Sequence, residues 1–225
     1  MSMQLRVVHT TTFEYDGKAF SADLPALQPE AHAPDWDVPV YVAATAPMMQ
    51  RLGGEIGDGL LTPSITTPAF VRYTAGNVAA GAEKAGRDPG QVDIGCTVVA
   101  SIDADDGDRG RDGAREIAGM YLANKFQNIR GSADTLLDLA EIAMDELAPV
   151  AEAMERGGRL AAKAQVTDSL LDRCKPIAGT PADCIRAIEE YRESGCSHVM
   201  LELWGANRLD QIRLFAEEVL PHIRA

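Results

Sequence analysis

The stretch from Val38 to Thr62 carries the clearest pattern of apolar and polar positions in the chain. Val40–Val42 and Leu60–Leu61 are continuously apolar, which is typical of strands buried on both faces of a parallel sheet. Between these runs, apolar side chains recur at helical spacing, at Met48, Met49, Leu52 and Ile56. The pattern therefore predicts a strand, a helix and a second buried strand.

The same alternation of strand and helix continues towards the C-terminus. A helix is predicted over Ala69–Lys84, with Thr67 as its N-cap and Pro68 as its first residue, and a strand follows over Val92–Ile102. Ser197–Leu203 is the last of the four predicted strands. Composition and capping residues predict further helices over Ala114–Phe126, Thr135–Glu155, Asp168–Cys174, Ala182–Ser194 and Leu209–Val219.

A β-hairpin is predicted ahead of these units. Its strands would be Val7–Tyr15 and Lys18–Phe20, joined by Asp16–Gly17, because Asp-Gly is a strong two-residue turn signal. Leu24–Asp37 is predicted to be a loop. Alternating βα units imply a parallel sheet with helices packed outside it, so we expect an α/β fold in a single domain over residues 1–225.

The turn Ala43–Pro47, between the first of these strands and its helix, has almost no side-chain bulk. Backbone N–H groups in such a turn can approach an anion such as a phosphate, and the N-terminus of the following helix attracts the same group. A turn of small residues also suits ordinary close packing of a helix against a strand. Both interpretations remain open from these residues alone.

Charge and composition exclude several classes of function. The formal net charge of −13 repels nucleic acid and anionic membranes, and no apolar run approaches the ~20 residues that span a bilayer. The N-terminus lacks the pattern of a secretory signal, so we expect a cytoplasmic protein. The cysteines are widely spaced and the histidines show no ligand spacing, so we expect no metal site. We expect reduced thiols at Cys96, Cys174, Cys184 and Cys196.

Four segments in the same order resemble the C-terminal half of the luciferase-like monooxygenase superfamily. They are the hairpin TFEYDGKAF, the strand and helix VPVYVAATAPMMQRLGGEIGDGLL, the helix and strand IAGTPADCIRAIEEYRESGCSHVMLEL, and the closing FAEEVLPHIR. The resemblance is closest to the reductases that depend on the deazaflavin coenzyme F420, such as methylene-tetrahydromethanopterin reductases. It runs from about residue 5 to the C-terminus.

The resemblance implies strands five to eight of a (β/α)8 barrel of the TIM type, with a hairpin before strand five and extra helices before the last strand. It also implies hydride transfer between F420 and a small organic substrate. An FMN-dependent monooxygenase is the alternative cofactor class. A non-catalytic subunit, or a truncated remnant without the N-terminal half of the site, is the alternative outside catalysis.

The resemblance also implies site residues, all at the carboxyl ends of the strands. Ala44, Thr45 and Ala46 would offer backbone amides, and Thr45 its hydroxyl, to the cofactor phosphate, within a cofactor-binding turn that runs from Ala43 to Pro47. Pocket residues for the substrate would be Thr62, Pro63, Ser64 and Trp204. The family's catalytic residues match no position here, so none is assigned.

A half-barrel would leave strand edges open, and open edges pair with other chains. Three arrangements resolve this. Two copies could associate, a separate chain could supply the N-terminal half of the barrel, or the chain is a truncated product.

Overall fold

The computed structural model describes residues 13–16, 21–24, 38–128, 132–204 and 207–223. The chain divides into two compact units, Met1–Val38 and Pro39–Ala225. Each unit is characterised by contacts within itself. The expectation of one domain over residues 1–225 stays a prediction.

The first unit contains the predicted hairpin with a different connection. Strands β1 (Phe13–Asp16) and β2 (Ser21–Leu24) pair antiparallel, with Asp16 opposite Ser21. The prediction of a two-residue turn at Asp16–Gly17 was therefore wrong, because Asp16 is still a strand residue paired with Ser21. The predicted strand residues 7–12 and 18–20 and the predicted loop residues 25–37 lie outside the described residues. Leu24, predicted to begin that loop, is the last residue of β2.

The second unit alternates strands and helices as predicted. Its strands are β3 (Tyr41–Ala43), β4 (Gly59–Thr62), β5 (Asp93–Ile102), β6 (Ile177–Gly179) and β7 (His198–Leu203). Its helices are α1 (Pro47–Ile56), α2 (Pro68–Lys84), α3 (Gly107–Asn128), α4 (Ser132–Leu139), α5 (Met144–Lys163), α6 (Asp168–Arg173), α7 (Pro181–Glu193), α8 (Arg208–Leu214) and α9 (Leu220–Ile223), with a π-helical turn at Phe215–Val219. Within the described ranges, no helix has the length and apolarity that crossing a lipid bilayer requires.

All five strands of the second unit pair in parallel, in the order β3-β4-β5-β6, and β7 also pairs with β5. The predicted α/β class and parallel sheet are confirmed. The strand Ile177–Gly179 is an addition, because the sequence pattern predicts four strands and leaves these residues unassigned. It pairs only with the last three residues of β5, Ala100–Ile102.

The helix predicted over Thr135–Glu155 is in fact two helices. Glu141 adopts a left-handed backbone conformation with φ of 56°, which a continuing helix does not allow. Ile142 then turns into the core at 3% exposure, and the backbone N–H of Ala143 donates to the Glu146 carboxylate at 2.9 Å, capping the new helix. Helix propensity alone does not reveal the break, because every residue involved is compatible with a helix.

The two faces of the sheet differ, since side chains alternate along each strand and laterally paired residues share a face. One face, here the Cys96 face, carries Leu60, Cys96, Val98 and Ala100 and packs against α2 and α7. The other, here the Glu202 face, carries Val99 with its register partner Glu202. Val99 packs there against apolar residues of α3, α4 and α5.

A bidentate ion pair joins the start of α5 to the end of α6. Arg173 donates to both carboxylate oxygens of Glu146, at 2.5 and 2.8 Å. Arg173, and then the N–H of Ala143, lower the pKa of Glu146 from 4.5 to about 2. Because the folded-state pKa is the lower one, this contribution to stability is complete above the unfolded value and is lost as the pH falls towards 2.

We expect Glu146→Gln to flatten the pH dependence of unfolding between pH 5 and about 2, because one acid-linked proton uptake is removed. Urea unfolding at a series of pH values measures the slope. Glu152→Gln, an exposed glutamate on the same helix, is the control and should leave the slope as in the parent protein. Equal slopes for Glu146→Gln and the parent would contradict the assignment.

Candidate functional site

The turn Ala43–Pro47 lies between the carboxyl end of β3 and the start of α1. The N–H of Ala44 donates to the carbonyl of Leu61 at 3.1 Å, so this amide extends the β3–β4 ladder and is not available to a ligand. Ala43 is exposed, whereas Thr45, Ala46 and Pro47 are half-buried. Ala44 is therefore removed from the set of backbone amides that the sequence offered to a ligand.

Among the residues that the structure describes, none supplies a side-chain cap or a first-turn carboxylate to the N-terminus of α1. Its N-cap, Ala46, has no side chain that could accept a hydrogen bond, and the first turn holds no acidic residue. Pro47 has no N–H, and the first-turn N–H groups of Met48 and Met49 have no acceptor within the helix. Met48 and Met49 are 81% and 44% exposed. Within the described part of the chain, no side-chain cap or first-turn carboxylate therefore balances the positive end of the α1 dipole.

Gln50 holds this turn in place and was missed by the sequence analysis. The side chain is fully buried and donates to the carbonyl of Thr45 at 3.2 Å and to the hydroxyl of Thr74 at 3.0 Å. It also accepts a hydrogen bond from the side chain of Asn77 at 2.9 Å. The turn is therefore tied to α2 through a buried polar network, which fixes the direction of its amides.

The predicted pocket residues separate onto different surfaces. Thr62 is 4% exposed and pairs laterally with Cys96, so its side chain lies on the helix-covered Cys96 face. Pro63 and Ser64 are half-buried in the loop that follows β4. The Ser64 hydroxyl reaches the Glu202 carboxylate, so Ser64 lies at the opposite face from Thr62.

Ser64, Tyr121 and Glu202, here the Glu202 cluster, meet near the carboxyl end of β7. The phenol of Tyr121 donates to both oxygens of Glu202, at 2.8 and 2.9 Å, and Ser64 donates to one of them at 3.4 Å. Burial raises the pKa of Tyr121, the hydrogen bond with Ser64 opposes that shift and Glu202 adds to it, with a net rise. Tyr121 and Glu202 were absent from the predicted site, because each occupies an ordinary position of its helix or strand in the sequence.

Trp204 directly follows β7, two residues beyond Glu202. Its ring is partly buried against the core of α3–α5. The guanidinium groups of Arg159 and Arg208 lie over it, 4.9 and 5.8 Å from the ring centroid. The predicted pocket residue therefore lies at the same end of the sheet as the Glu202 cluster, covered by two cations.

A second polar cluster occupies the opposite end of the Glu202 face. Asp93 accepts hydrogen bonds from Tyr41 and Ser197, and from Nδ1 of His198 at 3.0 Å. Burial alone would raise the pKa of Asp93, but these hydrogen bonds outweigh it and lower the pKa. A Cβ on Gly95 would lie 2.4 Å from the His198 ring, so the glycine makes room for it. Asp93, Tyr41 and His198 lie at the amino ends of their strands. In barrel proteins this end contributes to stability, whereas the active site lies at the carboxyl ends.

The cysteines are buried, unpaired thiols, at Cys96, Cys174, Cys184 and Cys196. Burial raises the pKa of Cys174 and of Cys184 to about 12, so both stay protonated. Among the residues that the structure describes, no three His, Cys, Asp or Glu side chains are grouped so as to hold a metal ion.

A parallel sheet covered by helices, with strands and helices alternating along the chain, defines an α/β protein. The model of the luciferase-like monooxygenase family matches residues 4–198. The chain belongs to that family, and the resemblance inferred from sequence is confirmed.

Its relatives include enzymes that use coenzyme F420. The chain is 33% identical to a 5,10-methylenetetrahydromethanopterin reductase of Methanolobus tindarius, over 82% of its own length and 54% of the relative's. It is 28% identical to an F420-dependent glucose-6-phosphate dehydrogenase of Nakamurella multipartita, over 94% of its own length and 55% of the relative's. The chain thus spans about half the length of these relatives.

The structure of the F420-dependent tetrahydromethanopterin reductase from Methanopyrus kandleri superposes with a TM-score of 0.76 and 26% identity. The match covers 95% of this chain and 59% of that one. It confirms the predicted fold class, an α/β arrangement like that of barrel-type members of the family.

Proposed function

We propose that this chain forms the phosphate-side half of an F420-dependent oxidoreductase that transfers hydride between the deazaflavin and an organic substrate. Family membership and the F420-dependent relatives support the choice of cofactor. The observation that carries the proposal is the uncapped N-terminus of α1 at the carboxyl end of β3. When bound, the deazaflavin would accept or supply the hydride, and the protein's part is to position it.

The residues present fit the phosphate of such a cofactor. The amide of Ala46 and the first-turn amides of Met48 and Met49 supply donors, and no acidic side chain in that turn opposes an anion. Gln50 fixes the turn from behind, so the donors are ordered before the ligand arrives. A donor set fixed in advance loses little conformational entropy on binding.

The remainder of the cofactor site would come from further β/α units. The relatives extend well beyond the matched region, since the matches cover 54% to 59% of their length. Among the described strands, β3 pairs with β4 alone, and Val40, the residue just before β3, is 62% exposed. The lateral edge of β3 would receive those units, whether they belong to another chain or to a second copy of this one.

Titration of the full 225-residue chain with F420, followed by the cofactor's absorbance and fluorescence, tests the proposal. A parallel titration with FMN separates the two cofactor classes. Saturable binding of F420 with weaker binding of FMN is the expected result. Binding of neither cofactor would contradict it, and tighter binding of FMN would move the chain to the monooxygenase class.

Light scattering on the same samples tests how the missing units are supplied. A fraction of dimer that rises in proportion to bound F420 would support closure of the barrel by a second copy. A monomer that binds F420 would show that the phosphate side alone is sufficient for binding.

A further inference from the structure

We propose that the Glu202 cluster binds a positively charged, hydrogen-bond-donating group of the substrate, such as a protonated or partly positive nitrogen. This inference rests on the proposed function, because it assigns the substrate side of the same site. Its support lies in the hydrogen-bond inventory of three side chains, in the charge around them and in their position on the sheet.

The hydrogen bonds within the Glu202 cluster leave only acceptor positions for a ligand. The Tyr121 hydroxyl uses its single proton on Glu202, and the Ser64 hydroxyl shares its own between the same carboxylate and the Tyr121 oxygen. The lone pairs that remain on the two hydroxyls and on Glu202 can only accept hydrogen bonds. A ligand group with N–H or O–H donors satisfies them, whereas a carbonyl, carboxylate or phosphate oxygen does not.

The charge of the cluster favours a cationic donor over a neutral one. No Lys, Arg or His among the described residues lies within ion-pair distance of Glu202, whose partners are both hydroxyls. Two arginines at this end of the sheet have other partners, because Arg159 and Arg208 stack on Trp204 and Arg159 also pairs with Glu116 at 3.6 Å. Lys125 lies one turn beyond Tyr121 on α3, and burial lowers the pKa of its ammonium group.

The position of the cluster is that of a barrel active site. Glu202 is the second-to-last residue of β7, and Ser64 lies two residues beyond β4. Both are at the carboxyl ends of parallel strands, the edge at which α1 begins. A substrate held here would therefore lie at the same edge of the sheet as a cofactor phosphate bound to the turn.

Benzylamine is a suitable probe, since it presents a protonated nitrogen on a small apolar ring at neutral pH. Benzyl alcohol has one neutral donor and benzoate has none. We expect two-dimensional 1H–15N NMR of the full chain, without cofactor, to show saturable benzylamine shifts at Ser64, Tyr121 and the amides of Leu201–Leu203. Benzyl alcohol should bind more weakly, and benzoate should cause no shift there.

Glu202→Gln keeps the size of the side chain and an acceptor for Tyr121 but removes the charge. We expect it to weaken benzylamine binding about tenfold, which is about 1.4 kcal/mol, since a charge-assisted hydrogen bond is roughly twice as strong as a neutral one. Glu217→Gln removes the same charge from an exposed position outside the cluster and should leave the affinity unchanged. An equal loss of benzylamine affinity in both variants would show that the effect comes from net charge alone and would overturn the proposal.

Shifts scattered over the surface, or equal shifts with benzoate, would overturn the proposal in the parent protein even if Glu202→Gln fails to fold. These outcomes are separate from failure of the proposed function. Benzylamine binding needs no F420, and F420 binding is measured at the other end of the site.

Discussion

Replacing Ala46 with aspartate is expected to stabilise the protein and to abolish most of its affinity for F420. We expect the free energy of unfolding to rise by about 1 kcal/mol, the usual gain from a side-chain N-cap. We expect F420 binding to weaken by about tenfold or more, because two like charges ~5 Å apart repel by ~3 kcal/mol at an effective dielectric constant of ~20.

The gain in stability and the loss of F420 affinity have the same origin, the unsatisfied amides at the start of α1. Ala46 already has the extended backbone of an N-cap, with φ of −80° and ψ of 141°, so an aspartate there could accept from the first-turn amides without rearrangement. It would also neutralise the positive end of α1. Those are the donors that the cofactor phosphate would otherwise engage. If the start of α1 binds a phosphate, its N-cap should be a residue such as Ala46, which leaves the amide donors open and gives a less stable helix than aspartate would.

Chemical denaturation and F420 titration of the Ala46→Asp variant measure the two effects. Thr67→Ala is the control, because Thr67 accepts from the N–H of Phe70 at 3.2 Å and caps the neighbouring helix α2. It should lose about 1 kcal/mol of stability and keep the F420 affinity of the parent. An Ala46→Asp protein that binds F420 as tightly as the parent would contradict a phosphate at this turn.

Replacing Gly81 with alanine is expected to cost about 3 kcal/mol of stability or more. A Cβ at Gly81 would lie 1.9 Å from the carbonyl oxygen and 2.9 Å from the Cα of Arg51, so the contact is with backbone that cannot give. Helix α1 would have to move away from α2. Because Gln50 bridges the same two helices, the turn would move with it and F420 binding should fall together with stability.

Gly76→Ala on the same helix is the matched control. Nothing lies within 4 Å of a Cβ at Gly76, which is exposed, so the added methyl group should stabilise α2 by about 0.5–1 kcal/mol. Thermal unfolding of the two variants therefore should shift in opposite directions. Shifts in the same direction and of similar size would show that α1 and α2 are not in close contact at Gly81.

Much of the fold could be predicted because local sequence patterns determine where its strands and helices lie. The continuous apolar runs and the N-cap Thr67 mark strands and a helix that the structure contains. The strand Ile177–Gly179 has too few residues to show a period, and it exists only because the end of β5 is there to pair with it. The break at Glu141 is likewise set by Ile142 entering the core.

The candidate site divides in the same way. The turn Ala43–Pro47 is a run of neighbouring small residues, so a single sequence reveals it. The Glu202 cluster joins residues separated by 138 and 81 positions, and no local pattern pairs them. Gln50 was the one detectable omission. A polar residue on the buried side of a short helix, in line with Gly53 and Gly54, is a sign of an internal hydrogen-bond network.

The most direct test of a cofactor phosphate at the start of α1 is two-dimensional 1H–15N NMR of the full chain during titration with F420. We expect the largest shifts at the amides of Ala46, Met48 and Met49, saturating with the same dissociation constant as the optical titration. Saturable F420 binding that leaves these three amides unshifted would contradict the phosphate site.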